Sequence, residues 1–296
     1  MPAKLPTSAK LKDVRIPLAL LPALIFAVTA HGQTAQALAP AQAQALVTRA
    51  LTAELHAAQD TDHPMRYRLH RSSPRITSTK EIIETREGFV ARLIEVNDRP
   101  LSPDEEQKEQ ARLDALLSDP SRQRHRKQSE DEDTSIVLKL LRMLPQAFLY
   151  DYAGPGQGPA GLVEKFRLHP NPHFDPPDLE TQALTAMTGE VWIDAAGERV
   201  VRLEGHLQQD TDYGWGILGK LDKGGWVVLE QTNVGAGQWR IARFQMKMNL
   251  RILFKTKSFD TTQEMTGYAP VPASLDYRRA IQMLRSAPAA TAHGGG

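Results

Sequence analysis

No cysteine occurs among the 296 residues, and this absence excludes disulfides, thiolate metal ligands and cysteine nucleophiles. A charge excess of either sign is also missing, because Lys and Arg total 36 against 35 Asp and Glu. The chain therefore lacks the basic surplus that is typical of nucleic-acid binding. A hydrophobic share of 41% and a mean hydropathy of −0.40 exclude a polytopic membrane protein and a disordered chain. No catalytic motif stands out, so we expect a protein that is not an enzyme.

The N-terminal segment has the features of a secretory leader. An apolar run over 16–30 is followed by small residues and is preceded by four basic ones: Lys4, Lys10, Lys12 and Arg15. This run is shorter than the roughly 20 residues that a membrane-spanning helix needs. We expect a signal peptide over 1–32, with cleavage between Ala30 and Gly32, and a periplasmic mature protein without an integral membrane segment. The alternative is an uncleaved N-terminal anchor.

Beyond the leader, composition predicts a single folded domain. Residues 33–40 form a tether rich in Ala and Gln, and 287–296 form a disordered tail rich in Ala and Gly. The domain between them spans 41–286 and contains an inserted helical block at 101–144. The centre of that block, 122–133, balances four basic residues with four acidic ones. It is interpreted as a salt-bridged helix or mobile loop, with a docking site for a charged partner as the alternative.

Four segments have helical patterns. An N-terminal helix is indicated by the apolar stripe Val47, Leu51, Leu55 and Ala58. A second begins at the capping residue Ser102 and extends to about Leu117. The third, 134–144, is apolar on nearly all sides, so we expect it to be buried on several sides and to end at Pro145. The fourth covers about 274–285.

Most other segments have the sequence pattern of strands. They are expected at 65–70, 75–86, 88–97 and 162–169, with hairpins joining 189–194 to 199–208 and 214–221 to 225–231. The stretch from Gly154 to Gly161 is rich in Gly and Pro and is interpreted as a loop.

The longest strand pattern covers 242–254. Its even positions are apolar and all but one of its odd positions are polar. This strict alternation over 13 residues predicts a strand of roughly 40 Å, about twice the ordinary length. Strands of this length usually belong to strongly curved sheets, whose inner face surrounds something apolar.

This order of elements resembles the LolA/LolB-like superfamily of periplasmic proteins that sort outer-membrane lipoproteins. Three segments also resemble bacterial envelope proteins without an assigned function: Gly189–Asp194, Glu204–Leu207 and Tyr213–Leu221. The resemblance implies an α+β fold in which a curved antiparallel half-barrel has helices packed across its concave face. The insertion at 101–144 is longer and more charged than the lid of a minimal LolA-like protein. The missing lipid-modified cysteine argues against a LolB-like acceptor, and no single arginine matches the lid-latching arginine of the family.

The expected function is that of an exported, non-enzymatic carrier or binding protein for a lipid, an acyl chain or a lipoprotein. The expected ligand-facing side chains are Phe244, Met246, Met248, Leu250, Ile252, Phe254, Leu140, Leu141, Leu144 and Trp215. The alternative is an envelope interaction or sensor module that binds a protein and carries no lipid. No cofactor, metal or nucleic acid is expected.

Two polar clusters are candidate metal sites. His169, His173 and Asp175 are ligand types that suit zinc, but the prolines between them favour an extended surface loop. A metal-dependent hydrolase at these histidines is the third function class. Asp210 and Asp212 have the spacing of a calcium loop, but Leu221 replaces the required glutamate, so a simple turn is favoured.

Overall fold

The computed structural model describes residues 38–159, 161–213, 219–252 and 255–286, except for the side chains of Leu179, Tyr213 and Ile252. The expected signal peptide at 1–32, residues 33–37 of the expected tether and the expected tail at 287–296 lie outside the described residues. Trp215, Phe254 and the Ile252 side chain, which were expected to face a ligand, also lie outside them.

The described strands form one antiparallel sheet in the order β4-β3-β2-β1-β13-β12-β11-β8-β7-β6-β5, with β9 and β10 beside β12. Their bounds are β1 Met65–Ser72, β2 Thr77–Ile83, β3 Val90–Val96, β4 Arg99–Pro100, β5 Phe148–Gly158, β6 Gly161–Pro170, β7 Met187–Asp194, β8 Val200–Leu207, β9 Thr211–Tyr213, β10 Gly219–Leu221, β11 Trp226–Asn233, β12 Trp239–Ile252 and β13 Lys255–Pro270. Because β4 and β5 do not pair with each other, the sheet stays open. The predicted α+β fold with a curved half-barrel is confirmed.

Helices pack near both edges of the sheet. Their bounds are α1 Pro40–Ala58, α2 Pro103–Ser118, α3 Pro120–Ala147, α4 Leu179–Gln182 and α5 Tyr277–Ser286, with a short 3-10 helix at Ala183–Ala186. The main core joins α1 and the end of α3 to β5, β6, β7 and β8. A second core joins α2 and α5 to β2 and β3.

The long alternating strand exists as β12, which is 14 residues long. It pairs with β11 on one side and with the 16-residue β13 on the other. Strand β13 was not predicted. Bulges interrupt several ladders, including those at Thr79/Lys80 and Glu230/Gln231. Bulges increase local twist and bend, and so contribute to the curvature of the sheet.

The predicted burial and end of the helix at 134–144 are wrong. The segment is the last part of α3, a helix of 28 residues that also includes the charged block. Ile136 and Val137 are 40% and 51% exposed, whereas Leu144 is buried. Pro145 lies inside the helix, and the carbonyl of Leu144 accepts a hydrogen bond of 2.6 Å from the Tyr150 hydroxyl. This side-chain donor satisfies a carbonyl at the helix end.

Two further predictions are wrong. The segment Gly154–Gly161 is not a loop, because most of it belongs to the hairpin of β5 and β6. Pro155 is tolerated there since β5 is an edge strand. Of the predicted hairpin of 214–221 with 225–231, residues 214–218 lie outside the described residues, and 219–221 do not pair with 225–231: β10 pairs with β9 and β12, and β11 pairs with β8 and β12.

The edge of β3 is covered by helix side chains instead of a full-length strand. The backbone N–H of Leu93 donates to Glu109 of α2 at 2.8 Å, and that of Phe89 donates to Glu130 of α3 at 3.1 Å. Arg112 donates to the carbonyl of Ala91 at 2.5 Å. These bonds satisfy edge groups that would otherwise be free to pair with another chain.

Candidate functional site

The concave face of the sheet carries a strip of apolar side chains across its central strands. On β12, Phe244 lies opposite Leu229 and Met246 lies opposite Val227 on β11. Leu229 in turn lies opposite Leu203 on β8. Cross-strand partners share a face, so these side chains form a continuous apolar surface.

The opposite, convex face of β12 is ionic. Arg243 and Lys247 are exposed and pair with Glu264 and Asp260 of β13, at 3.0 and 3.7 Å. The odd positions of β12 therefore lie towards solvent and the even positions towards the helices. This is the arrangement that a period of two imposes on a strand with one covered face.

A cavity of about 460 Å³ lies between this concave face and the helices α1 and α3. Its floor includes Leu203, Leu229 and Ile241 of the sheet, and Leu51 and Val137 contribute from the helices. Because Leu229 pairs with Phe244, the floor continues into the apolar strip of β12. Its volume is within the range of pockets that hold small ligands.

The helices cover this strip incompletely. Phe244, Met246, Met248 and Leu250 are all half-buried, and none belongs to a described core cluster. On the helix side, Val137 lines the cavity and is 51% exposed. Apolar surface is therefore left open on the sheet and on the helix that lies across it.

The three expected ligand-facing residues of α3 all lie in or against the main core, and one of them also lines the cavity. Leu141 lines the cavity and also packs against the main core. Leu140 packs against that core as well, and Leu144 is a buried member of it.

A buried ion pair closes the cavity beside α1, and the sequence patterns did not predict it. The carboxylate of Glu54 accepts hydrogen bonds from Arg199 at 2.8 and 3.0 Å. It also accepts from the backbone of Val200 at 3.0 Å and from the side chain of Gln231 at 2.8 Å. Four donors thus satisfy a carboxylate that is only about 10% exposed. Glu54 lies on the buried side of α1 with Val47 and Leu51, and its position there is the signal that could have identified it.

Two other carboxyls line the cavity. Burial raises the pKa of Glu84, although the backbone N–H of Met65 donates to it at 2.9 Å. Burial also raises the pKa of Glu130, which accepts from Phe89. Glu130 further raises the pKa of Glu84, because two nearby negative charges repel each other.

The aromatic pair Tyr67 and Tyr268 lies beside these carboxyls. The two rings have centroids 4.9 Å apart, and the Tyr268 hydroxyl donates to the carbonyl of Ile241 at 2.7 Å. Burial raises the pKa of both phenols, so both stay neutral.

The histidine and aspartate clusters do not assemble into metal sites. His169 pairs with Asp151 at 3.2 Å, and the backbone N–H of His173 donates to Asn171 at 3.0 Å. Asp210 pairs with Lys220 at 2.7 Å and accepts from the backbone of Lys223. Within 38–159, 161–213, 219–252 and 255–286, no group of three or more His, Asp or Glu is arranged to hold a metal ion.

None of the described helices has the length and apolar character needed to cross a membrane.

Comparison with known proteins gives one structural likeness. No protein-family model matches the chain, and no curated protein matches it. The chain is similar to a crystal structure from Vibrio parahaemolyticus that is provisionally described as an outer membrane lipoprotein-sorting protein domain. The match has 10% identity and a TM-score of 0.27, and covers 81% of this chain and 99% of that one. At this TM-score the likeness supports no inference about function, which has to come from the residues of the concave face.

Proposed function

We propose that the protein is an exported carrier that binds the acyl chain of a lipid or lipoprotein on the concave face of its sheet, without catalysing a reaction. The observation that carries the proposal is the apolar surface left open between sheet and helix. Met246 is half-buried on the strip, and Val137 is half-exposed at the cavity. Exposed apolar area of this kind favours an apolar ligand, because covering it removes that area from water.

The energetics suit an acyl chain. Each buried methylene contributes about 0.8 kcal/mol, so about ten of them contribute roughly 8 kcal/mol before the cost of ordering the chain. This interaction needs no polar recognition, and the strip offers Phe244, Met246 and Met248 as its contacts. Methionine side chains adapt to ligands of different shape, which suits a carrier.

Entry of the chain would require one helix to move. The Glu54–Arg199 pair ties α1 to the sheet, whereas the part of α3 that crosses the cavity has the exposed residues Ile136 and Val137. We therefore assign the movable cover to the part of α3 around Ile136 and Val137, between its bonds to Phe89 and its buried end at Leu144. In the carrier, this part of α3 would move away from the strip and then close over the bound chain. The leader peptide and the periplasmic location belong to this same proposal.

The test is binding of a fluorescent fatty acid by the delipidated mature protein, followed by mass spectrometry of lipids that copurify from an envelope fraction. The wild type is expected to show saturable binding. Met246→Asp places a charge on the strip and should abolish binding, because a buried carboxylate without a partner is costly.

Gln245→Asp is the matched control, since Gln245 directly precedes Met246 in the same strand and lies on the convex face. It should bind as the wild type does. A folded protein with neither saturable binding nor copurified lipid would reject the carrier in favour of the protein-binding envelope module.

A further inference from the structure

The concave face also carries cations that have no carboxylate partner. Arg71 on β1, Lys80 on β2 and Arg126 on α3 form no ion pair with any carboxylate of the described ranges, and Lys80 forms no hydrogen bond with a described side chain. This differs from the convex face, where Arg243 and Lys247 are both paired.

The strand register brings these cations to one corner of the face. Lys80 lies directly opposite Leu69 on β1 and Leu93 on β3. Arg71 is two residues beyond Leu69, so it shares that face with Lys80. Arg126 donates to the carbonyl of Phe89 at 3.5 Å. Phe89 immediately precedes β3 and is four residues before Leu93 in sequence.

A fourth cation, Arg112, completes the corner. It donates to the carbonyl of Ala91 and forms an ion pair with Glu109 at 2.7 Å. Glu109 also accepts from the backbone of Leu93, and Glu130 accepts from the backbone of Phe89. The charges of these two carboxyls offset part of the positive charge, since both raise the pKa of Arg126. Four cations therefore face two carboxyls, and a positive excess is left at the corner.

The cations repel one another. Lys80 is an exposed residue, but partial burial of its amine lowers its pKa, and the charges of Arg112 and Arg71 lower it further, while Glu109 raises it. A bound anion would offset this repulsion, because an opposite charge stabilises the protonated amine.

The corner adjoins the apolar strip. Arg71 donates from Nε to the hydroxyl of Thr261 at 3.3 Å, and Thr261 lies opposite Met246 on β12. Lys80 is likewise the cross-strand partner of Leu69, which is half-buried. A ligand with its chain on Met246 would have its polar end within reach of Arg71.

We infer that this corner, made of Arg71, Lys80, Arg112 and Arg126, binds the phosphate of an acidic phospholipid whose acyl chain lies on the strip. The inference rests on the proposed function and names its class of ligand. Guanidinium groups match the geometry of phosphate oxygens, and the ammonium adds a point charge. Several converging cations suit a phosphate group better than the single carboxylate of a fatty acid.

The experiment compares two short-chain fluorescent lipids with identical acyl chains, phosphatidylglycerol and the phosphate-free diacylglycerol, with inorganic phosphate as a third titrant. The wild type is expected to bind phosphatidylglycerol about tenfold more tightly, as one or two charge-assisted hydrogen bonds would produce. The double variant Arg71→Gln/Lys80→Gln should lose this preference and keep its affinity for diacylglycerol, which has no phosphate to lose. Arg243→Gln/Lys247→Gln removes the same charge from the convex face and should keep the preference.

Each other outcome has a separate meaning. Equal affinity of the wild type for both lipids, or a preference that survives in Arg71→Gln/Lys80→Gln, overturns the headgroup site and leaves the carrier intact. A folded wild type that binds neither lipid rejects the carrier itself. Saturable binding of inorganic phosphate as tight as that of phosphatidylglycerol would mean a site for the free anion, and would overturn the lipid assignment.

Discussion

Arg199 binds Glu54 of α1 with both Nε and Nη2, at 2.8 and 3.0 Å, and this pair joins the first helix to the start of β8. A second pair, Arg49 with Glu198, joins the same two elements at 2.7 Å but is about half exposed. The two pairs differ in burial, and Glu54 also accepts from the backbone of Val200 and the side chain of Gln231. Their comparison therefore separates the effect of a buried carboxylate with four donors from that of a surface contact.

Glu54→Ala should lower the free energy of unfolding by about 3–5 kcal/mol, because it leaves the buried guanidinium of Arg199 without its partner. Glu198→Ala, the matched surface control, should cost less than about 1 kcal/mol. Chemical denaturation of both variants measures the difference. Equal midpoints for Glu54→Ala and the wild type would contradict the assigned role of this pair.

The strip and the core should respond differently to truncation. Phe166 is fully buried in the main core, so Phe166→Ala should cost about 3–5 kcal/mol. Met246 is half-buried, so Met246→Ala should cost less, about 1 kcal/mol, while weakening fatty-acid binding. Denaturation and fluorescence titration check the two effects together. A loss of stability for Met246→Ala as large as that for Phe166→Ala would show that Met246 is ordinary core.

The side-chain cover on the edge of β3 should limit self-association. Glu109→Ala removes the acceptor of the Leu93 N–H and should cost about 2–3 kcal/mol, because a buried donor is left unsatisfied. It should also increase aggregation on mild heating, measured by light scattering, since the edge is then free to pair. Asp114→Ala on the same helix removes only the exposed pair with Arg285 and should cost less than about 1 kcal/mol. Identical scattering from the two variants would argue against protection of the edge.

The carboxyls at the cavity predict a pH effect of defined sign. Because burial raises the pKa of Glu84 and Glu130, the folded state holds their protons more strongly than the unfolded state does. Stability should therefore fall as pH rises from about 4.3, the ordinary value for Glu, towards the raised pKa values. The double variant Glu84→Gln/Glu130→Gln should become more stable than the wild type over this window.

Glu105 provides the opposite control. Its hydrogen bonds with Arg99 and Ser102 lower its pKa to about 2. The stability it contributes should be present above about pH 4.3 and be lost as pH falls towards 2. Denaturation midpoints of Glu105→Gln and of Glu84→Gln/Glu130→Gln against pH test the two signs. A difference between Glu84→Gln/Glu130→Gln and the wild type that does not change with pH would contradict the assignment.

Local patterns predicted the elements that have a strong period of their own. The stripe at Val47 and Leu51 identified α1, and the alternation over 242–254 identified β12. Both patterns are visible without knowing what packs against them, because one face of each element is consistently apolar. Strand β13 lacks such a pattern: Thr261 and Gln263 lie on the same concave face as Met246 and Phe244, but they are polar.

The charged block shows the same limit for helices. Residues 122–133 balance their charges and have no apolar stripe, so their pattern did not distinguish a helix from a loop. In the structure α3 continues through them, and Gln123, Arg126 and Glu130 bond the backbone of Glu87 and Phe89, just before β3. Those partners are more than 30 residues away in sequence, and no local period reveals them.

Periodicity in the chain was therefore enough for elements such as α1 and β12 and for the side of β12 that lies inward, because both depend on neighbours within one strand or helix. The class of fold followed from the order of elements and its resemblance to a known superfamily. The open strip, the Glu54–Arg199 pair and the cationic corner depend on which distant segments meet. Whether an apolar face is covered, or a cation is paired, follows from the register of strands and the path of α3. Only the folded chain brings Lys80 beside Arg71 and leaves Met246 half-covered.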